Sequence, residues 1–326
     1  MNIAEDLMLD FAENTGLTSN KPPRRYLWTD AFAVCNFIQL YKQTKNKIYK
    51  QYSIDLIDQV HSTLGKHRED DSREGWLSKD PDRPTKNGLR IGKRLPEREK
   101  DERIDESLEW ERDGQYFHYL TKWMVALINM GGFLDEKKYI LWAADLVKAS
   151  QAFIHDSRMY WKMSIDLSRP LVRSMGQHDP LDGYVVYKLV NIHTEESLNK
   201  EVEDMFTIAR TIRLETMDPL GIGSLLIDAY HLYQMGEDEQ FLQDIINAAK
   251  YGIQYFNTNN HSLAFRELGL AIGLEASRRM NELTSYWEIK DRIIKYWVEN
   301  RDWREHIDIN QVMLSTSLVP NQFLEI

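Results

Sequence analysis

The sequence has a single cysteine, Cys35, among 326 residues. One thiol excludes an internal disulfide framework and a zinc site that is built from several cysteines. Cys35 lies in the apolar stretch DAFAVCNFIQLY, which is typical of a buried helix. We therefore interpret this cysteine as a core residue and expect no metal site around it.

The sequence also lacks long apolar runs and an excess of positive charge. No stretch approaches the roughly 20 apolar residues of a membrane-spanning helix. The first residues, MNIAEDLMLDFAENTG, do not follow a basic start with an apolar run, so they do not predict a signal peptide. A net charge of −10 argues against general nucleic-acid binding. We expect a cytoplasmic protein whose partners include neither nucleic acid nor membrane.

Several catalytic signatures are missing as well. The sequence contains no G-x-S-x-G motif, no P-loop and no dinucleotide-binding fingerprint. These absences leave no sequence argument for a cofactor. The sequence does contain many aromatic residues, with 9 Trp and 16 Tyr. Aromatic rings with polar tips suit a sugar-like ligand, and they serve equally well in a large core.

Two kinds of helix are predicted to alternate along the chain. One kind is apolar on nearly all faces and must be surrounded by protein. Its members are Asp30–Tyr41, Tyr116–Met130, Gly183–Val190, Leu220–Tyr233 and Leu268–Ala276. The other kind has one apolar stripe, as in Ile48, Tyr52, Leu56, Val60 and Leu64. These striped helices are expected at the surface with one face packed inward.

This alternation predicts helical hairpins with one helix inside and one outside. About five pairs begin near Trp28, Gly114, Asp179, Asp218 and Arg266, and a sixth can be supplied by Ala4–Asn14 with the tail after Trp303. We expect one all-α domain over residues 1–326, folded as an (α/α)6 toroid. The glycines Gly221, Gly223, Gly269 and Gly273 lie in predicted inner helices, which favours close helix approach.

The chain resembles the six-hairpin, (α/α)6-toroid glycosidase-like superfamily. The resemblance lies in the hairpin count, the double ring and the polar clusters that open the inner helices, over Trp28 to Trp303. The sequence carries no diagnostic motif of any one glycoside hydrolase family. The resemblance implies a carbohydrate-active enzyme, and this implication is an analogy from fold.

Two segments interrupt the hairpins. Residues 67–113 are rich in both charge signs and contain Trp76 and Trp110, and such long loops often serve as lids. The run Arg90–Lys93–Arg94 in this segment offers a site for an anionic substrate group. Within Arg158–Ser174, apolar residues alternate with polar ones from Trp161 to Leu167, which predicts a short strand on the rim.

If the inner helices are parallel, the residues that start them meet at one mouth of the toroid. The catalytic candidates there are Asp179, Asp182, Asp30, Glu267, His178 and His118. The substrate-binding candidates are Trp28, Trp76, Gln115, Tyr116, Trp161, Gln177 and Arg266.

The segment GQHDPLDG carries most of this expectation. Asp before Pro is a normal helix N-cap, and both Asp179 and Asp218 fit that interpretation. A cap needs only one acid, so it does not explain Gln177, His178 and Asp182 together. Carboxylates at a helix start stay ionised, which suits a base or nucleophile. Asp30 and Glu267, next to apolar residues, are better placed to act as a general acid.

Three functions follow from this pattern. The first is a glycoside hydrolase that uses paired carboxylates on a small saccharide, either neutral or anionic. The second is a sugar epimerase or isomerase that works through His118 and His178. The third is a carbohydrate-binding or scaffold protein without catalysis.

Overall fold

The computed structural model describes residues 2–236, 239–257 and 261–326 of the chain. Most of these residues are helical. The helices, in chain order, are α1 (Ile3–Asn14), α2 (Leu27–Thr44), α3 (Lys47–Leu64), α4 (Glu106–Glu109), α5 (Phe117–Leu134), α6 (Lys137–Ala149), α7 (Asp179–His193), α8 (Asn199–Ala209), α9 (Pro219–Gln234), α10 (Glu239–Ile253), α11 (Ala264–Arg279), α12 (Trp287–Glu299), α13 (Ile307–Leu318) and α14 (Asn321–Leu324).

Six of these helices form a closed inner ring. In order around the ring, α2, α5, α7, α9, α11 and α13 each contact the next, and α13 contacts α2 again. The outer helices α3, α6, α8, α10, α12 and α1 pack mainly against α2, α5, α7, α9, α11 and α13, respectively. The predicted (α/α)6 toroid is therefore confirmed. Its sixth pair joins α13 to α1, so the two ends of the chain close the ring together.

Burial explains which helix of a pair lies inside. Every residue of α2 from Leu27 to Leu40 is buried. In α3, by contrast, the buried residues lie mainly along one face of the helix. The predicted stripe on α3 is displaced by one residue at its start, since Tyr49 is buried and Ile48 is 40% exposed. None of the helices in the described residues is both long enough and apolar enough to cross a membrane.

Glycines allow α9 and α11 to touch along their backbones. A Cβ on Gly223 would lie 2.2 Å from the Gly269 carbonyl oxygen, and one on Gly273 would lie 2.5 Å from the Gly223 carbonyl oxygen. No side chain fits at these positions without moving a helix, so the predicted close approach is confirmed.

Short β-strands of two or three residues lie on the rim of the toroid. β1 (Gln115–Tyr116), β4 (Lys162–Met163) and β5 (Pro170–Val172) form an antiparallel sheet, and β2 (Ile154–His155) pairs with β3 (Arg158–Met159). The single strand predicted over Trp161–Leu167 is thus only two residues long. Lys162, a polar residue of this alternation, is fully buried, and its ammonium donates to the carbonyl oxygens of Glu109 and Arg112.

The segment over residues 67–113 is docked against the toroid along much of its length. Arg83 pairs with Asp145 of the outer helix α6, with Nε 2.6 Å from Oδ2. The Gln115 side chain accepts from the Leu89 amide at 2.9 Å, and Leu89 is fully buried. These contacts fix the base of the segment. Its role as a lid stays a prediction.

Candidate active site

The starts of the inner helices meet at one face of the toroid, here called the mouth. The indole Nε1 of Trp28, on α2, donates to Nε2 of His118, on α5, at 3.2 Å. Across the ring, Arg266 of α11 pairs with Asp218 before α9, with NH1 2.6 Å from Oδ1. The predicted gathering of polar residues at one mouth is therefore present.

Asp182 is the most heavily contacted carboxylate of the mouth. Its Oδ1 lies 2.5 Å from Lys122 Nζ, its Oδ2 accepts from the Thr121 hydroxyl, and His118 Nδ1 lies 3.5 Å from that same oxygen. Burial opposes the negative charge, but Lys122 and His118 outweigh it and hold the pKa of Asp182 well below its usual range. Asp182 is thus a fixed anion that is not free to contact a substrate.

His118 is oriented by this anion. Because Trp28 donates to Nε2, that nitrogen carries the lone pair, which assigns the ring proton to Nδ1, facing Asp182. The His118 side chain is 25% exposed, whereas the Asp182 side chain is 1% exposed. An imidazole whose far side is held by a carboxylate is the arrangement of a general base.

Asp179 lies one helical turn before Asp182 but has a different environment. Its Oδ2 is buried and has no hydrogen-bond partner within the described residues. Burial raises the pKa of Asp179 to about 6, and the nearby negative charge of Asp182 contributes to this. Asp179 is the first residue of α7 and does not serve as its N-cap, a position held by His178. This carboxyl is suited to donate a proton.

A loop covers the Asp179 carboxyl. A Cβ built on Gly176 would lie 2.3 Å from Asp179 Oδ2, so only glycine fits over this atom. Asp179 as a whole is 7% exposed. Contact between this oxygen and a substrate therefore requires the loop before α7 to shift.

Buried ionisable residues continue from the mouth into the interior of the toroid. Asp228, in the middle of α9, is buried, and burial together with Asp182 raises its pKa well above the usual range. Burial lowers the pKa of His231, one turn further on, to about 4. Burial also opposes the charge on Lys122, but the carboxylates of Asp182 and Asp228 hold its pKa above the usual value. One ammonium therefore compensates one of the nearby carboxylates.

His178 and Gln177 tie neighbouring loops to the start of α7. His178 Nε2 lies 2.7 Å from the Leu214 carbonyl oxygen, and the Gln177 amide donates to the Glu215 carbonyl oxygen at 2.7 Å. Burial lowers the pKa of His178. Asp218 is an N-cap, as predicted, since its Oδ2 accepts from the Gly221 amide at 3.1 Å.

Asp30 and Glu267 lie at the starts of their helices with their oxygens engaged. Asp30 accepts from the Tyr26 amide at 2.8 Å and lies 3.4 Å from Arg25 NH1, and burial raises its pKa to about 6. Glu267 lies 2.6 Å from His261 Nδ1 and accepts from Ser262 N at 2.8 Å and from Trp297 Nε1 at 2.9 Å. These contacts hold the segments that precede α2 and α11 against the first turns of those helices.

The predicted substrate-binding residues are spread over the rim. Tyr116 stacks on Trp161 with ring centroids 5.7 Å apart, so these two lie together. Gln115 is fully buried, and its side chain is bound to Leu89, Asn87 and Ile165.

Trp76 and Arg90 have partners of their own. Trp76 packs beneath the Lys66 ammonium, beside the end of the outer helix α3. Arg90 is engaged by Asp113 at 2.5 Å and by two carbonyl oxygens, so its guanidinium is not free for an anionic ligand. Within the described part of the chain, no cluster of three or more His, Cys, Asp or Glu side chains is arranged to hold a metal ion.

Lys122, Thr121 and Asp228 were not among the sequence candidates. The sequence does contain a signal for two of them, because Lys122 and Asp228 are charged residues inside predicted helices that are otherwise apolar on all faces. A buried charge needs a partner, so two such residues on inner helices predict a polar cluster inside the ring. Thr121 carries no comparable signal.

Comparisons with known proteins agree with this fold. The sequence matches no protein-family model, and a search of curated proteins returns no match. Among solved structures, a GH76 α-mannanase from Bacteroides thetaiotaomicron is similar with a TM-score of 0.65 and 10% identity, covering 100% of this chain and 98% of that one. A GH76 α-1,6-mannanase of Salegentibacter is similar with a TM-score of 0.63 and 12% identity, covering 99% of this chain and 98% of that one.

A D-mannose isomerase is also similar, with a TM-score of 0.59 and 12% identity, covering 98% of this chain and 96% of that one. At these identities the similarity establishes the fold. The chain is an (α/α)6 toroid of the kind found in glycoside hydrolases and sugar isomerases.

Proposed function

We propose that this chain is a carbohydrate-active enzyme, and that its first activity is hydrolysis of a glycosidic bond at the mouth. The observation that carries the proposal is the pair formed by Asp179 and the His118–Asp182 dyad. One carboxyl has a pKa raised to about 6 and an oxygen without a partner within the described residues, while the imidazole beside it is oriented by a fixed anion. Glycosidic cleavage needs such a division between acid and base.

The residues then take distinct roles. Asp179 donates its proton to the leaving glycosidic oxygen as the bond to the anomeric carbon breaks. His118 Nε2, released by Trp28, accepts a proton from the water that attacks that carbon, and Asp182 stabilises the imidazolium that forms. The two carboxylates therefore do not act as a direct pair, because Asp182 acts through His118.

The similarity to mannanases supports a saccharide substrate, but this sequence differs from one of those mannanases in its consecutive aspartates. One similar mannanase was solved as an inactive variant, with two consecutive aspartates replaced, in complex with α-1,6-mannotetrose. The present sequence contains one consecutive aspartate pair, Asp70–Asp71, where Asp71 pairs with Arg73. We therefore place the acid–base function at the start of α7 rather than at an adjacent pair.

A second candidate activity is isomerisation or epimerisation of a free sugar. It is favoured by the His118–Asp182 dyad, which suits removal of a proton from carbon, and by the similarity to a D-mannose isomerase. In that reaction His118 takes the proton from a sugar carbon, and Asp179 protonates the neighbouring carbonyl oxygen as the enediol forms.

One experiment separates these activities. Mannose-containing oligosaccharides and free sugars are incubated with the protein in deuterated water, and both reducing ends and deuterium on sugar carbons are measured. New reducing ends without deuterium on carbon support hydrolysis, and deuterium on carbon without new reducing ends supports isomerisation. Binding of these sugars without either product contradicts an enzymatic function and favours the carbohydrate-binding alternative.

The role of Asp179 is tested in the same assay. Asp179→Asn should lower turnover by about 100- to 10,000-fold, because an amide does not serve as the proton donor. The matched control is Asp204→Asn, which makes the same change on the outer helix α8 at an exposed ion pair with Lys200. Full activity in Asp179→Asn would rule out the proposed acid.

A further inference from the structure

We propose that a groove beside the mouth binds an anionic group, a phosphate or a carboxylate, carried by the sugar substrate. The inference rests on the proposed function and adds the class of substrate. The groove has a volume of about 410 Å³. It lies between the β2–β3 hairpin and the segment that joins α8 to α9, and its polar lining consists of Ser157, Arg158, Gln177, Thr211 and Arg213.

The groove is positively charged in an acidic protein. Acidic residues outnumber Lys and Arg by 51 to 41 in the chain, yet none of the described residues that line the groove carries a carboxylate. The two guanidinium groups are those of Arg158 and Arg213. A planar guanidinium presents paired N–H donors that match the oxygens of a phosphate or carboxylate.

Both arginines are available to a ligand. Arg158 is the exposed residue of strand β3, and its guanidinium has no ion-pair partner within the described residues. Arg213 Nε lies 3.4 Å from Glu215, and the Arg213 side chain is 78% exposed. An exposed ion pair of this kind contributes little to stability, so a ligand can replace it at low cost.

The groove is connected to the catalytic loop. Met175 and Gln177 line the groove, and Gly176 between them covers Asp179 Oδ2. The Gln177 side chain also donates to the Arg213 carbonyl oxygen at 3.2 Å. An anion held here would therefore place the attached sugar next to Asp179, against the loop that must shift to admit it.

The groove is a different place from the run Arg90–Lys93–Arg94, for which the sequence predicted an anionic group and which stays a prediction. Arg90 of that run is committed to Asp113. Lys93 is directed over the Tyr26 ring, with Nζ 5.5 Å from the ring centroid. Arg158, which has no ion pair within the described residues, and Arg213, whose pair with Glu215 is exposed, are more accessible to a ligand than Arg90.

Binding of mannose, mannose 6-phosphate and mannuronic acid to the full chain tests the proposal by calorimetry. We expect at least one of the two charged sugars to bind at least about tenfold more tightly than mannose. The double variant Arg158→Gln/Arg213→Gln should lose that preference. The control Arg210→Gln, which removes a nearby guanidinium packed on Phe206 outside the groove, should keep it.

Each result decides the proposal. Equal affinity for charged and neutral sugars, an unchanged preference in the double variant, or an equal loss in the Arg210→Gln control would overturn it. The two charged sugars show whether phosphate or carboxylate is preferred. Binding does not depend on turnover, so Asp179→Asn should still prefer the charged sugar. A charged sugar that binds but is never converted would contradict the proposed function and leave the groove supported.

Discussion

Asp179 and Glu267 occupy equivalent places in the toroid, in the first turns of the inner helices α7 and α11, and both are buried. Three donors surround the Glu267 carboxylate, whereas Asp179 Oδ2 has no partner within the described residues. Buried polar atoms in folded proteins almost always have partners. The difference supports the proposed roles, in which Glu267 stabilises a loop and Asp179 donates a proton.

The largest effect on stability is expected at Lys122, which supports the Asp179 region. Lys122→Met leaves the Asp182 carboxylate without its ammonium partner, and breaking a buried ion pair in this way costs about 3–5 kcal/mol. Urea unfolding measures this cost. Lys200→Met, at an exposed pair with Asp204, is the control and should cost less than about 1 kcal/mol. Similar small losses in both variants would contradict the charge assignment.

A pH-dependent difference should distinguish Asp179 from an ordinary surface acid. Its pKa is about 6 in the folded protein, against about 3.9 in an unfolded chain, so the folded state binds the proton more tightly. The contribution of Asp179 to stability is therefore present below pH 4 and is lost as the pH rises through 6.

The variant Asp179→Asn lacks this titration. Relative to the wild type, it should gain roughly 2–3 kcal/mol of unfolding free energy between pH 4 and pH 7. Urea unfolding at a series of pH values measures the gain, and a difference that does not change with pH would argue against the raised pKa.

A smaller effect is expected at Glu267. Glu267→Gln replaces an oxygen that accepts hydrogen bonds with an N–H group that faces donors, which should destabilise the protein by about 2 kcal/mol. At pH 7 the isosteric change in Asp179 should not destabilise it. Thermal unfolding of both variants makes the comparison direct. If Asp179→Asn proved the less stable of the two, the assigned roles would be reversed.

The smallest effect is expected at Thr121. Thr121→Val removes one of the donors to Asp182 while Lys122 remains, so we expect a loss of about 1 kcal/mol. Thr207→Val, whose hydroxyl donates to the Glu203 carbonyl on the outer helix α8, serves as a control at an exposed site. A loss as large as that of Lys122→Met would mean that Thr121, rather than the ammonium, sustains the carboxylate.

The sequence allowed the toroid to be predicted because its signals are local. Apolar faces, one-sided stripes and the Asp218 cap each depend on residues within a turn or two of one another. The candidate site depends on longer contacts. Asp179 and Asp182 share one segment, yet their roles differ because Lys122, about 60 residues earlier, contacts only Asp182. Nothing local in the sequence indicates that Gln115 and Arg90 serve the docked segment.

The proposed site depends on two carboxyl groups, one helical turn apart, that titrate at well-separated pH values. NMR titration of the protein with ¹³C-labelled aspartate carboxyls tests it without a substrate, and Asp179→Asn and Asp182→Asn assign the two signals. We expect Asp179 to titrate near pH 6 and Asp182 to stay ionised well below the usual aspartate range. Titration of Asp179 near the ordinary value of about 3.9 would contradict it.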